Sequence, residues 1–412
     1  MALIDFAQYR PYNQKEAKQE KQVGKPRYVA YVLPSQGESQ WVELGDVEAI
    51  NRKINAFRQA LRDKQRQDVK RLPRAVDREV MQPVRKLLGM TRRVFLSPDG
   101  ALNLIPFAAL VDEQNRYLVQ RYSFRYLTSG RDLLKLKEKI QSKRATMLLA
   151  DPDFGEASKV GDTATASIAD ESALSGFYFS RLAQTELEVK ELKKLFPQAE
   201  VLTGARATEA VLKQASGPMI LHIATHGFFL DDMVKLEEVP RGEQTRLMVR
   251  RRKGRSGNSE SEQAELINPL MRSGLGLAGA NIRNGGEGND GILTALEATG
   301  LDLWGTKLVV LSACDTGVGE VKNGDGVYGL RRALVLAGSE SQMMSLWPVS
   351  DTGTRELMID YYKQLKAGQG RSEALRQAQL KMLANPKRRH PFYWASFIQS
   401  GEWANLSGKR VD

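Results

Sequence analysis

The sequence predicts a mixed α/β fold, a mostly parallel sheet flanked by helices. Three observations carry that expectation. Residues 144–226 alternate strand and helix patterns, "ATMLLADPDFG", "TELEVKELKKLF", "AEVLTG", "ATEAVLKQAS" and "MILHIATHG", the order that lays parallel strands side by side through helical crossovers. The alternation resumes beyond residue 290 with "TKLVVLSACDTG", "GVYGLRRALVLAGS", "SQMMSLWPVSD" and "TRELMIDYYKQLKAG". The length of 412 residues, an apolar share of 42% and mixed charge fit a globular chain of two or three ordinary domains.

The first unit spans residues 1–143. "RYVAYVLP" reads as a strand from its alternation and β-branched content. Asp46 opens a helix over "DVEAINRKINAFRQAL", with Val47, Ile50, Ile54 and Phe57 on one face. "RAVDREVMQPVRKLLG" reads as a second helix ending at Gly89, and Pro83 within it predicts a kink or a break. "RRVFLSPDG" is a strand and a turn, and "LNLIPFAALVD" and "YLVQRYSFRYL" are further apolar segments. This unit holds no histidine and no cysteine, so catalysis is not expected from it.

The second unit spans residues 144–412. The small, polar stretch after "ATMLLADPDFG" reads as a mobile loop. Thr185 and Glu188 are spaced as a capping box for the helix over "TELEVKELKKLF". Residues 231–265 form a long basic loop with "VRRRKGRSGNSES" at its centre, too long for a compact domain unless it has a function or lacks order. "GILTALEATGLDL" reads as a helix. No internal repeat of 20 to 50 residues is visible.

Composition narrows the function classes. No run approaches the roughly 18 apolar residues of a membrane span, and the N-terminus lacks a secretory layout, so no membrane partner is expected. A single cysteine permits no internal disulfide and fits a reducing cytoplasm. One cysteine and three histidines make a poor metal inventory, so neither metal nor cofactor is expected. The net charge of +12 permits attraction to nucleic acid. Much of it is local, however, and no zinc-finger spacing or RNA-binding aromatic signature accompanies it.

Two strand ends carry the chemistry. "MILHIATHG" runs into His226-Gly227, and "KLVVLSACDTG" runs through Leu308–Leu311 into Ser312, Ala313 and Cys314. Reacting groups in open parallel sheets gather at the carboxyl ends of strands. If these two strands are neighbours, an imidazole and a thiol face one crevice, as a thiol nucleophile and its base require. Gly227 would let a substrate backbone come close, and its N–H with that of Cys314 could form an oxyanion hole. Taken singly, the cysteine reads equally as a small buried apolar residue and the histidine as a satisfied structural group. His222 shares the strand and reads as supporting or core. His390 reads as a surface or packing residue.

The successive blocks "ILHIATHG", "NPLMRSGLGLAGAN", "DGILTALEATGLDLWGTKLVVLSACDTGVGE", "GDGVYGLRRALVLAGS", "SLWPVSDT" and "HPFYWASFIQSGEW" resemble those of a CHAT domain. These are caspase-like domains usually attached to tetratricopeptide repeats and similar to separases. "ALIDFAQYRPYN" and "FLSPDGALNLIPFAAL" resemble the family's N-terminal blocks, so the likeness covers nearly the whole chain. It implies a caspase-like sheet arranged as a pseudo-protease half followed by an active-protease half. It also implies a His/Cys-dyad peptidase, with the catalytic histidine falling on His226 and the nucleophile on Cys314.

Specificity would rest on an acidic pocket that pairs with Arg or Lys in a protein substrate. Asp351, after "SLWPVS", aligns with the acidic position that resembles the separase pocket, and Asp153 is its rival. Each could instead be a cap or a turn residue. Asp315, beside the nucleophile, could tune the pocket or order its loop. A preference for basic residues would make Arg250–Arg255 a candidate site of self-cleavage. No helical repeats precede Met1, so a tetratricopeptide-repeat or other regulatory partner is expected on another chain, unless this sequence is a fragment. Two rival readings stand beside the peptidase: a latent CHAT interaction module, and a basic nucleic-acid-binding protein.

Overall fold

The fold was obtained as a computed structural model that describes residues 1–13, 23–135, 140–156, 178–229, 235–236, 249–250, 269–271, 273–282, 289–312, 325–347 and 351–410. The stretch 157–177, where the sequence places a polar loop, and most of the basic loop 231–265 lie outside the described residues.

The strands of the N-terminal half are β1 (Ala2–Tyr9), β2 (Arg27–Pro34), β3 (Gln40–Asp46), β4 (Arg93–Ser97) and β5 (Ser123–Tyr126). Three more, β6 (Met147–Pro152), β7 (Glu200–Gly204) and β8 (Ile220–Ala224), match the predicted alternation. Short strands follow: β9 (Gly227–Phe229), β10 (Lys235–Leu236), β11 (Val249–Arg250), β12 (Ser273–Gly276) and β13 (Ile292–Thr294). The chain then supplies β14 (Leu308–Leu311), β15 (Ser341–Ser345) and β16 (Phe397–Gly401).

Among the described residues, eleven of these strands form one sheet in the order β3-β2-β1-β4-β5-β16-β15-β14-β8-β6-β7. Most neighbours are parallel; β1–β2, β2–β3 and β15–β16 are antiparallel. Because β16 runs against β15 but along β5, the sheet reverses polarity there. The carboxyl ends of β6, β7, β8, β14 and β15 emerge at one edge, and those of β1, β4, β5 and β16 at the opposite edge. A separate three-stranded sheet, β13-β12-β9, begins where β8 stops.

The elements follow from local chemistry. Helix Val47–Arg62 is capped by Asp46, whose carboxylate accepts from the Ala49 N–H at 2.8 Å. Its buried Val47, Ile50, Ile54, Phe57 and Leu61 form the apolar stripe. Helix Arg71–Leu88 runs unbroken through Pro83 and ends at Gly89, whose φ of 53° suits glycine. The proline forfeits one backbone bond, to Glu79, while Val76, Val80, Met81 and Val84 stay buried around it. Four strands of the C-terminal half, β6, β8, β14 and β15, are buried along their whole length, because helices cover both faces of a parallel sheet.

Two helix expectations need correcting. Helix Ala183–Leu195 has Leu182 at its N-cap, three residues before Thr185, the first residue of the predicted capping box. Thr185 instead donates its hydroxyl to the Leu182 carbonyl and accepts the Asp151 N–H, while Glu188 is buried beside His222. The segment "GILTALEATG" is divided between β13 and a short helix, Ala295–Ala298. The capping box lies here: Thr294 Oγ1 accepts from the Glu297 N–H at 3.2 Å, and Glu297 Oε2 accepts from the Thr294 N–H at 2.9 Å.

Candidate active site

His226 lies two residues beyond β8, where the chain leaves the large sheet for β9. The turn is fixed by backbone: the Gly276 N–H donates to the His226 carbonyl at 2.9 Å, and the Thr225 hydroxyl donates to the Gly276 carbonyl. Gly227 opens β9 and pairs with Leu275 of β12.

The imidazole is only 4% exposed and sits in a small aromatic cluster. Phe154 lies 5.3 Å from it and Phe179 5.8 Å, centroid to centroid. Its Nε2 is 2.7 Å from the Ser180 carbonyl oxygen. A carbonyl only accepts, so Nε2 carries the proton in the neutral ring and the basic lone pair resides on Nδ1. Ser180 is not recognisable from sequence, because its contribution is a backbone carbonyl that any residue would supply.

β14 is the hydrogen-bonded parallel neighbour of β8, with Leu311 opposite Ile223, and the Ser312 N–H donates to the Ile223 carbonyl at 2.9 Å. The strand that leads to Cys314 in sequence therefore ends beside the strand that leads to His226. Cys314 and Asp315 themselves lie outside the described residues. β15, next to β14, ends at the same edge, and Asp351 is the first residue of helix Asp351–Lys366.

Asp153, just past β6, is exposed and accepts from the Gly155 N–H at 3.2 Å, the geometry of a turn residue. The buried carboxylate at this tip is Asp151, 5% exposed with φ of 43°; Arg181 reaches it at 2.9 Å.

The other two histidines are structural. His222 is fully buried, with Nδ1 3.0 Å from the Tyr362 hydroxyl. Its Nε2 is 3.0 Å from Glu188 Oε1, close but off the hydrogen-bonding line. Burial, with Tyr361 and Glu188 nearby, holds the Tyr362 pKa well above the ordinary tyrosine value. His390 caps helix Pro391–Trp394, accepting from the Phe392 N–H at Nδ1 and donating from Nε2 to the Arg66 carbonyl. Among the described residues no three His, Cys, Asp or Glu side chains gather as a metal site, and no helix is long and apolar enough to cross a membrane.

A strand-end histidine at the edge where the neighbouring strand also stops is one half of the comparison; the other is the family pattern, since the CHAT domain profile matches residues 70–402. The chain belongs to the CHAT domain family. This CHAT domain is 25% identical over 335 residues to human tetratricopeptide repeat protein 28, covering 78% of this chain. It is 32% identical over 116 residues to the mouse protein of the same name, covering 28% of this chain. It spans only 12% and 5% of those relatives' lengths.

Among solved structures, the separase–securin complex of Saccharomyces cerevisiae aligns with 75% of this chain and 15% of that chain, at 13% identity and a TM-score of 0.39. The Arg-specific cysteine proteinase gingipain R aligns with 87% of this chain and 75% of that chain, at 9% identity and a TM-score of 0.42. Both are distant likenesses of the CHAT domain.

Proposed function

We propose that this CHAT domain is a cysteine endopeptidase with a His226/Cys314 dyad that cleaves protein substrates after Arg or Lys. The observation that carries the reading is the tip of β8: a buried His226 whose Nε2–H is spent on the Ser180 carbonyl, beside the strand that continues to Cys314. Family membership supports it, since the blocks holding both residues lie inside the matched span.

In the proposed reaction His226 Nδ1 takes the Cys314 thiol proton as the sulfur attacks the scissile carbonyl. A free thiol of pKa about 8.5 is only a few per cent thiolate near neutrality, so the base is needed. The N–H groups of Gly227 and Cys314 hold the oxyanion; one such donor is worth about 3 kcal/mol of barrier. The imidazolium then protonates the leaving amine as the C–N bond breaks. Water, deprotonated by the same imidazole, releases the acyl group and regenerates the thiol.

Asp351, Asp153 and Asp315 are the candidates for the basic-residue pocket, and the exposed turn geometry of Asp153 weakens its case relative to Asp351. Residues 1–143 form the proposed pseudo-protease half and residues 144–412 the active half. A tetratricopeptide-repeat partner, a cytoplasmic setting and self-cleavage in Arg250–Arg255 belong to the same proposal.

A positional peptide-library digest with the full chain tests it. Cleavage after Arg or Lys is expected, and Cys314→Ala or His226→Ala should lower it at least about a thousandfold. Cleavage that survives Cys314→Ala, or none with wild type under activating and non-activating conditions, removes the peptidase reading. The latter result leaves the latent interaction module.

A further inference from the structure

We infer that the Ser180 carbonyl is set on His226 by two clamps, Asn281 acting through Phe179 and Asp151 acting through Arg181, which makes these three side chains positioning residues for the imidazole. The inference rests on the dyad reading, but its geometry stands without it.

Ser180 belongs to no helix or strand, yet its carbonyl oxygen must be held to a fraction of an ångström if it is to fix the ring. On one side, Asn281 treats Phe179 as a strand partner. Its Oδ1 accepts from the Phe179 N–H at 2.9 Å and its Nδ2 donates to the Phe179 carbonyl at 2.9 Å. The same Nδ2 donates to the Gly155 carbonyl at 2.9 Å, and the Asn281 N–H donates to the Phe154 carbonyl at 2.9 Å. Asn281 thus ties together the backbones of Phe154 and Phe179, the two residues whose rings lie beside His226.

On the other side, the Arg181 guanidinium sits on Asp151, with Nη2 2.9 Å and Nε 3.2 Å from Oδ2. The Asp151 N–H is held by Thr185 at 2.9 Å, inside the first turn of the helix that follows. Asp151 comes from the tip of β6, the strand paired with β8 through Ala150 and Ala224. Residue 180 is therefore pinned from both neighbours to the edge that carries His226.

Stability alone does not account for the arrangement. The Arg181 side chain is 74% exposed, and a pair so open to water adds little to folding. Asp151 has a positive φ of 43°, uncommon for a residue with a side chain although aspartate is among those that adopt it most readily, and such residues gather where surrounding structure needs a particular geometry.

Only three histidines are present, so the full chain labelled with ¹⁵N-histidine gives a readable spectrum, and His226→Gln assigns the ring. In wild type His226 should show protonated Nε2 and unprotonated Nδ1, in excess of about tenfold over the other tautomer, roughly the bias one good hydrogen bond gives. Arg181→Ala and Asn281→Ala should cut that excess to less than about threefold; Arg181→Lys should restore part of it. Asp151→Asn, which suits the left-handed backbone, should behave as Arg181→Ala does. If Asn281→Ala fails to fold, the exposed Arg181 decides.

Folded variants that keep the wild-type tautomer ratio overturn the inference, as does a wild-type ring protonated at Nδ1. On a cleaved peptide the same variants should lower kcat about tenfold with little change in KM and should move the acid limb of the pH profile. Absence of Cys314-dependent cleavage would remove the peptidase reading but leave the tautomer result to stand or fall by itself.

Discussion

At the residue scale, what the sequence exposes is side-chain chemistry and what it hides is backbone chemistry. His226 stood out because an imidazole followed by glycine ends an apolar run. Ser180 did not, since its carbonyl is common to every residue, and Asn281 did not, since an amide in a turn reads as turn chemistry. Of the two aspartates in "ADPDFG", the sequence reading named Asp153, but in the fold Asp151 is the buried one, at a positive φ, and Asp153 is exposed. Glu209 carries a residue-scale prediction. It shares Lys213 with Glu297, at 2.6 Å and 2.9 Å. Burial foremost, with the neighbouring Glu297 charge, pushes the Glu209 pKa up to about 7 against the stabilising pull of Lys213. The folded chain therefore binds a proton at Glu209 between about pH 4.5 and 7 that the unfolded chain releases. That contribution is fully present below pH 4.5 and is lost as pH rises through 7. Glu209→Gln, which mimics the protonated form, should flatten this part of the stability curve. Melting temperatures at pH 5 and pH 8 should differ less in the variant than in wild type; an unchanged difference would show that Glu209 titrates normally.

At the element scale, the alternation of strand and helix was legible because each crossover repeats the same local pattern, and β6, β7, β8, β14 and β15 follow it. Among the strands that were not legible, β1 and β16 show why. β1 does alternate, with Ala2, Ile4 and Phe6 buried, but its place between β2 and β4 depends on partners far along the chain. β16 is a five-residue stretch without helical or strand period, and its partners are β15 and β5, the latter more than 270 residues earlier. The short helix after β13 was misread because the apolar run continues across the boundary; the Thr294–Glu297 capping box is the local signal that marks where the strand stops. Thr294→Val keeps the shape and removes the cap. It should cost about 1 kcal/mol in urea unfolding, whereas Thr294→Ser should stay within about 0.5 kcal/mol of wild type. Equal midpoints for all three proteins would mean that tertiary packing alone sets this helix.

At the scale of the whole molecule, the sheet reverses polarity at β16, where strands of the first half meet those of the second. The carboxyl ends of β1, β4 and β5 open on the edge away from His226, whereas that of β2, antiparallel to β1, opens on the same edge as β8. The first half contributes packing. One hydrophobic core runs from Ala2 to Ile398 across both halves. Arg331, 1% exposed, donates to Asn103 at 3.0 Å, and Arg376 donates to the Val119 carbonyl at 2.9 Å, each bond crossing from the second half to the first. A shared core and a shared sheet predict one cooperative unfolding unit. Phe57, fully buried in helix Val47–Arg62 of the first half, is the residue to remove. Phe57→Ala should cost about 3–5 kcal/mol. In native-state hydrogen exchange that loss should appear equally at the slowest amides of β4 and of β14, because both report global opening. If β4 loses protection while β14 keeps it, the halves open separately, and the first half is a detachable neighbour of the candidate site instead of part of the frame that holds β8 beside β14.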